Sequence, residues 1–466
     1  MKKAISILIC VALILVMVAG CAREEAPPTT GGAQPPASGG AAGNQATQAP
    51  TTPTEPITPQ EATGEVSQGV TDTEILIGTT FVASGPLSFI GLPIIDIITA
   101  EFARVNAHGG IAGRELRLVH YDDGNDPVQG RIFIERLLEE DRVFGLIAIS
   151  GGNAPGSLGY MRDFGAPVIG VTNGIAFMYH ESDPGSNIFL VEPSNALDGR
   201  AMFARAISEE LFGPNGNERL PDDALIGMVY SNNDAGHDRF AAVSAMAAEM
   251  GMSDRFIGEV VAPDIYPTVI QQMMAAGVQL VLAATLDTAG FTAAMDDAGW
   301  VVPVIGGYGT STIQSHSPEV FNPDRRILAT TWADFDAPHA QPMLAALNNA
   351  LTYHPTLDDA TRLSYAENNF ARAGYAYARA LVIGLERVVE AGLDLTWENF
   401  IWAMESEPFD LGGFGPFTFA NGQRMGVTEL GLFEYVAERN PDGSWNEQAL
   451  TTRTFESVED VLAKRN

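Results

Sequence analysis

The sequence predicts an α/β protein whose body is two doubly wound parallel-sheet lobes. Three observations lead there. The 466-residue chain is long enough to build two or more cores. Its composition, 46 % apolar and 18 % charged, is that of a folding chain. From Asp72 onward, short apolar runs alternate with segments of helical spacing, the pattern of parallel sheets covered by helices on both faces.

Charge and cysteine content narrow the function. Acidic residues outnumber basic ones by 58 to 26, for a formal charge of −32. A surface so negative repels phosphate backbones, which excludes nucleic acid as a partner. There are two cysteines, Cys10 and Cys21, and both precede the body. With no thiol in the body, cysteine catalysis, a disulfide-dense scaffold and a cysteine-rich metal cluster are excluded.

The N-terminal elements read as an anchor and a spacer. Lys2 and Lys3 open an apolar run over 4–19 that is short for a membrane span, and Cys10 is one more apolar residue within it. Val18-Ala19-Gly20-Cys21 closes the run and resembles the lipobox of bacterial lipoproteins, in which Cys21 carries the lipid. Acyl chains stabilise membrane attachment by roughly 0.8 kcal/mol per buried methylene. Residues 22–68 hold Pro, Thr, Gly, Ala and Gln with few large apolar side chains, so they are expected to be a disordered tether. The expected location is the cell envelope, lipid-anchored on the outer face of the cytoplasmic membrane or on a periplasm-facing membrane.

In the body, residues 74–82 are β-rich and end at Ser84-Gly85-Pro86. Residues 94–106 have helical spacing stopped by His108-Gly109-Gly110. Strands are expected over 115–121, 143–149 and 167–171, with helices over 128–140 and up to Phe164. The rhythm restarts with strands over 224–230, 280–284 and 304–305. The Ala-rich stretch 370–385 reads as a helix with Tyr375 and Tyr377 in its core face.

Ligands of open parallel sheets bind beyond the carboxyl ends of the strands. At those ends stand Ala83-Ser84-Gly85-Pro86, Ser150-Gly151-Gly152-Asn153 and Thr172-Asn173-Gly174. Taken singly, each is an ordinary helix cap or tight turn. Three in consecutive units weigh as heavily for a shared ligand site that offers hydroxyls and backbone N–H groups. Motifs for catalysis and cofactors are missing: no HExxH, no P-loop lysine, no GxGxxG, and only a broken nucleophile elbow at Gly156-Ser157. The seven histidines are scattered, and Asp122-Asp123 with Asp126 reads as a capped turn rather than a calcium loop. Binding without catalysis, metal or cofactor is the expectation.

The motifs then match a known family. Residues 69–75 (GVTDTEI) followed by Ser84-Gly85-Pro86 resemble the mature start of branched-chain amino-acid-binding proteins of ABC transporters. Residues 106–116 (NAHGGIAGREL), 121–127 (YDDGNDP) and 413–419 (GFGPFTF) continue the resemblance at the family's spacing. It implies a type I periplasmic binding protein: two α/β lobes joined by three crossover segments, closing on ligand by a hinge. Lobe 1 would be 70–192 plus 331–410, and lobe 2 would be 193–330 plus 411–450. The crossovers would lie near Glu192-Pro193, Thr330-Thr331 and Gly412-Gly413.

The same resemblance implies site residues. Family members that bind amino acids grip the carboxylate with a serine after the third strand and with backbone and threonine after the fourth. These positions match Ser150 with Gly151, and Thr172, Asn173 and Gly174. The glutamate that holds the ammonium corresponds to Tyr308, a second-lobe tyrosine to Ala235, and a first-lobe aromatic to the neighbourhood of Ile90. Asn125 stands where some relatives carry a disulfide cysteine. Asp234 and Asp287 follow second-lobe strands and are the acids available to replace the missing glutamate. The implied role is a monomeric solute-binding lipoprotein serving an ABC permease and its ATPase, its solute a small amino acid, amide or carboxylate. The alternative is a ligand sensor of the same fold that signals to a membrane receptor.

Overall fold

The computed structural model describes residues 57–172, 174–175, 183–213, 217–285, 287–308, 322, 324–333, 340–366, 368–411, 413–439, 441 and 445–465. The leader, Cys21, the spacer up to residue 56, and Asn173 lie outside the described residues.

The first lobe begins with β1 (Glu74–Thr80), α1 (Ser88–Ala107), β2 (Glu115–Tyr121) and α2 (Pro127–Glu139). β3 (Gly145–Ile149), α3 (Ala154–Phe164), β4 (Val168–Val171) and β5 (Ile188–Phe189) follow. The strands form one parallel sheet in the order β2-β1-β3-β4-β5. Every residue of β3 and β4 is buried, as a strand covered by helices on both faces must be. α1 starts six residues ahead of its predicted start at 94 because Pro93 is accommodated inside the helix, buried among its neighbours. α2 starts where Asp126 accepts the N–H groups of Val128 and Gln129, with Pro127 at its first position.

The chain then passes into the second lobe. Its elements are α4 (Asn195–Ser208), β6 (Leu225–Ser231), α5 (Asp234–Glu249), β7 (Phe256–Val261), α6 (Tyr266–Ala276), β8 (Val278–Ala284), α7 (Thr288–Asp297), β9 (Val304–Gly306) and β10 (Ile327–Thr331). It returns to cover lobe 1 with α8 (Ala340–Leu351), α9 (Asp359–Ala366), α10 (Asn369–Glu390) and α11 (Trp397–Ser406). α10 packs against α1 so closely that a Cβ on Gly374 would lie 2.6 Å from Ile97 Cγ2. Finally β11 (Leu430–Arg439), β12 (Trp445–Glu456) and α12 (Val458–Ala463) rejoin lobe 2. The second sheet runs β12-β11-β10-β9-β8-β6-β7. Its last two strands are antiparallel, so this sheet is mixed where the sequence suggested a purely parallel one.

Three boundaries differ from the sequence reading. Residues 57–68, counted in the tether, form a strap on lobe 1. Thr63 and Gly64 donate their N–H groups to Asp394 at 2.5 and 2.7 Å, Gln60 donates to Asn399 at 2.8 Å, and Gln68 Nε2 reaches the carbonyls of Leu138 and Val143. The third crossing is drawn out over 409–411 and 413–427 rather than pinned at 412–413, and Gly412 itself lies outside the described residues. Gly426 donates its N–H to the Leu190 carbonyl and Leu190 donates to that of Arg424, Phe414 bridges Ala333, and Phe409, Phe417 and Phe419 pack edge-on against one another, with Phe419 on Phe189. Lobe 2 also continues past residue 450, because the fully buried Arg205 of α4 holds Glu456 at 2.7 Å.

Candidate functional site

The carboxyl ends of the lobe 1 strands form one connected wall. At the end of β1, Thr80 donates its hydroxyl to Asp123 at 2.9 Å, and its carbonyl accepts the Ser150 N–H at 3.2 Å. Asp123 also accepts the Asn125 N–H at 2.8 Å, which fixes Asn125 in a left-handed conformation (φ 63°). The Ser150 hydroxyl then donates to Asn125 Oδ1 at 3.2 Å. Gly151 N–H donates to the Thr172 hydroxyl at 3.1 Å, linking the loops after β3 and β4. Gly174 continues into the first crossing: its carbonyl accepts the Asn195 N–H at 2.7 Å, and a Cβ there would lie 2.4 Å from the Pro193 carbonyl oxygen.

Ser150, Gly151, Thr172 and Gly174 are thus brought together. Ser84 stands at the exposed rim, where it hydrogen-bonds Asp122. Burial pushes the Asp122 carboxyl up, but hydrogen bonds from Ala83, Ser84 and Gly124 outweigh it and hold the group below the usual range. Ile90 lies half-buried on the first turn of α1.

In lobe 2, Ser231 donates to Thr285 at 3.2 Å across the ends of β6 and β8. Asp234 is exposed in the first turn of α5, whose cap is Asn233. Asp287 is the cap of α7, accepting the Gly290 N–H at 3.0 Å and the Tyr266 hydroxyl at 2.9 Å. Its lone pairs are committed to fold, which weakens its candidacy as a ligand acid. Tyr308 follows β9, half-buried, with the Arg239 guanidinium 5.4 Å from its ring centre.

Three residues to which sequence reasoning gave no site role, Glu192 among them although it marked a crossing, tie these walls to the crossings. Asp198, fully buried in the first turn of α4, accepts Arg239 Nε at 2.6 Å, the Tyr308 N–H at 3.2 Å and the Thr330 hydroxyl. Gly307 has no side chain because a Cβ there would lie 2.4 Å from Asp198 Oδ2. Glu192, in the first crossing, accepts the Tyr377 hydroxyl of α10 at 3.1 Å. Burial pushes the Glu192 carboxyl up to about 8, against the lowering pull of Tyr377 and Arg239. An acid in the first turn of a helix and a Glu before Pro look like surface residues in sequence. Their partners, Arg239 and Tyr377, lie too far along the chain for any local pattern to reveal them.

Chemically, the lobe 1 wall offers hydroxyls and N–H groups suited to an anionic or polar acceptor. The lobe 2 wall offers hydroxyls and an aromatic ring on a charge-compensated ion pair. Among the described residues, no three His, Cys, Asp or Glu side chains are grouped to hold a metal ion.

A family model described as periplasmic binding protein matches residues 74–439. No curated protein matches the chain. A solved fatty acid ABC transporter substrate-binding protein from Thermomonospora curvata is 18 % identical, with a TM-score of 0.65 over 87 % of this chain and 98 % of that one. A branched-chain amino acid ABC transporter structure from Thermus thermophilus with bound valine is 15 % identical, with a TM-score of 0.64 over 83 % and 98 %. A solute-binding protein from R. palustris in complex with 4-hydroxybenzoate is 16 % identical, with a TM-score of 0.62 over 82 % and 97 %. At these identities the structural likeness is one of fold.

Proposed function

The chain belongs to the periplasmic binding protein family, whose members bind solutes outside the cytoplasm, and on that premise we propose that it is the substrate-binding lipoprotein of an ABC importer. Its solute sits between the lobes, beyond the strand ends, and the loaded protein is handed to a membrane permease and its ATPase. One observation carries the reading. Ser150, Gly151 and Thr172, on loops after two adjacent strands, join in one donor-bearing wall that leads into the first crossing. Such a wall gathers hydroxyls and main-chain N–H groups at adjacent strand ends; here the Ser150 hydroxyl is given to Asn125 and the Gly151 N–H to Thr172, and a bound acceptor group would take over those bonds. The lipid anchor rests on Cys21 and the small residues before it. Cys21→Ala should leave the protein unprocessed or released from membranes, and a variant that loses its leader yet still fractionates with membranes would refute the anchor.

For the solute, we infer a small carboxylate, amide or aromatic acid ahead of leucine, isoleucine or valine. Tyr308 occupies the place that the resemblance gives to an ammonium-binding glutamate. Nearby, Asp198 is neutralised by Arg239 and Asp287 caps α7. An ammonium buried there without an anionic partner would cost several kcal/mol. The relatives of this fold carry names that span valine, 4-hydroxybenzoate and fatty acid, so the fold leaves the choice to the side chains. Calorimetry with leucine, valine, their des-amino analogues and benzoates tests the choice. Tighter binding of the des-amino acids supports it; tight leucine binding that depends on the ammonium overturns it and points to Asp234. Loss of binding in Ser150→Ala and Thr172→Ala with unchanged stability supports the wall, whereas unchanged affinity would reduce both residues to turn caps.

A further inference from the structure

Glu192 is a buried ionisable group that solute binding does not require. It lies in the first crossing, where any rotation of one lobe against the other must pivot. Groups from both lobes surround it. Tyr377 reaches it from α10 on lobe 1, donating its hydroxyl at 3.1 Å. Arg239 acts on it from α5 on lobe 2 while bound to Asp198 of α4, with Tyr308 over the same guanidinium. These are the charged and titratable groups that face it among the described residues. On the lobe 1 side, Gly170 (φ 78°) leaves the space Tyr377 needs, since a Cβ there would lie 2.7 Å from the ring. A residue bonded to one lobe and under the charge of the other cannot keep its surroundings when the lobes separate.

We propose that Glu192 couples the hinge to a proton: the arrangement described here holds its carboxyl neutral, and separation of the lobes lets in water and releases the proton to solvent. This rests on the two-lobe hinge reading of the proposed function. The carboxyl is pushed up to about 8, and desolvation is the largest cause. Separation removes two opposing influences, the burial that raises it and the Arg239 charge that lowers it, and the larger one sets the sign. The described state therefore binds more protons than the separated state. It is fully favoured below the ordinary carboxylate range, loses ground as pH rises toward 8, and changes no further above that. Within that window each pH unit shifts the ratio of the separated to the described arrangement by up to about tenfold.

The test is a pH series from 5.5 to 9.5 on the full chain and on Glu192→Gln, without added solute. Small-angle scattering gives the radius of gyration, and the thermal midpoint is followed in parallel. The wild-type radius should change as pH rises and level off near pH 8, while that of Glu192→Gln stays constant throughout. Tyr377→Phe removes a contact that lowers the Glu192 value, so it should move the levelling point to higher pH. If wild type and Glu192→Gln follow the same curves in both readouts, Glu192 does not titrate and the proposal is wrong. If the midpoints diverge with pH while both radii stay constant and equal, Glu192 titrates without a moving hinge. That result also overturns the proposal, and it traces the failure to the hinge reading. If Glu192→Gln does not fold, Tyr377→Phe decides: an unchanged wild-type profile refutes the coupling.

Discussion

Replacing Asp198 by alanine should be among the most damaging single changes in lobe 2. The Asp198 side chain is fully buried and Arg239 is 11 % exposed, with Nε–H···Oδ2 at 2.6 Å. At an effective dielectric near 20, two unit charges at about 4 Å attract by about 4 kcal/mol. Removing one partner leaves a buried guanidinium uncompensated, which costs about 3–5 kcal/mol. The Tyr308 N–H and the Thr330 hydroxyl lose their acceptor in the same stroke. For a lobe of about 200 residues, that corresponds to a fall in thermal midpoint of about 6–20 °C. The assay is thermal unfolding followed by circular dichroism, with Asp198→Ala beside the double replacement Asp198→Leu, Arg239→Met. The double variant removes both charges, so it should recover most of the loss. A fall under about 1 kcal/mol for Asp198→Ala would refute the reasoning, because it would mean that water or another acid already compensates Arg239.

Gly170→Ala should destabilise lobe 1 by about 2–5 kcal/mol, since a left-handed non-glycine residue costs about 1–2 and forcing the Tyr377 ring aside costs about 1–3; urea unfolding checks this, and a neutral result would show that the ring moves freely. Acid should weaken lobe 2 through Glu209, whose 1 %-exposed side chain binds Arg205, Arg453 and Lys464. Burial alone would raise the Glu209 carboxyl, but the three cations hold it below the usual range. Its contribution is therefore present above the ordinary carboxylate range and is lost as pH falls through the lowered value. Glu209→Gln should lower the thermal midpoint at pH 7 and flatten its decline below pH 4; equal acid profiles for variant and wild type would contradict this.

What the sequence disclosed, and what it withheld, divides along contact range. Strands β1 to β4, β6, β8 and β9 were legible because each is a short apolar run between turn residues, and Ser150 and Thr172 follow from them as residues just past the ends of β3 and β4. The helical spacing was counted only from 94, whereas α1 already runs through Gly91 and Pro93; Gly91 is required by the Val82 carbonyl, 1.6 Å from where a Cβ would sit. β11 was passed over because it pairs with β10, about a hundred residues earlier in the chain, a pairing no local signal specifies; β12 was passed over with it, since it joins the sheet only through β11. The same holds for the site. Tyr377 was rightly placed in the core by its Ala-rich helix, yet its hydroxyl partner Glu192 lies 185 positions away. Asp198 and Arg239, 41 positions apart, each resemble ordinary helix-surface charges until the fold buries them together.

Closure of the lobes on solute is tested most directly by small-angle scattering of the protein before and after addition of its solute, with that solute identified by mass spectrometry of what co-purifies and its saturation verified by calorimetry. Two lobes joined by three crossings and binding solute between them predict a smaller radius of gyration in the loaded state. An unchanged radius at verified saturation would contradict that prediction and leave a rigid two-lobed body in place of a closing one.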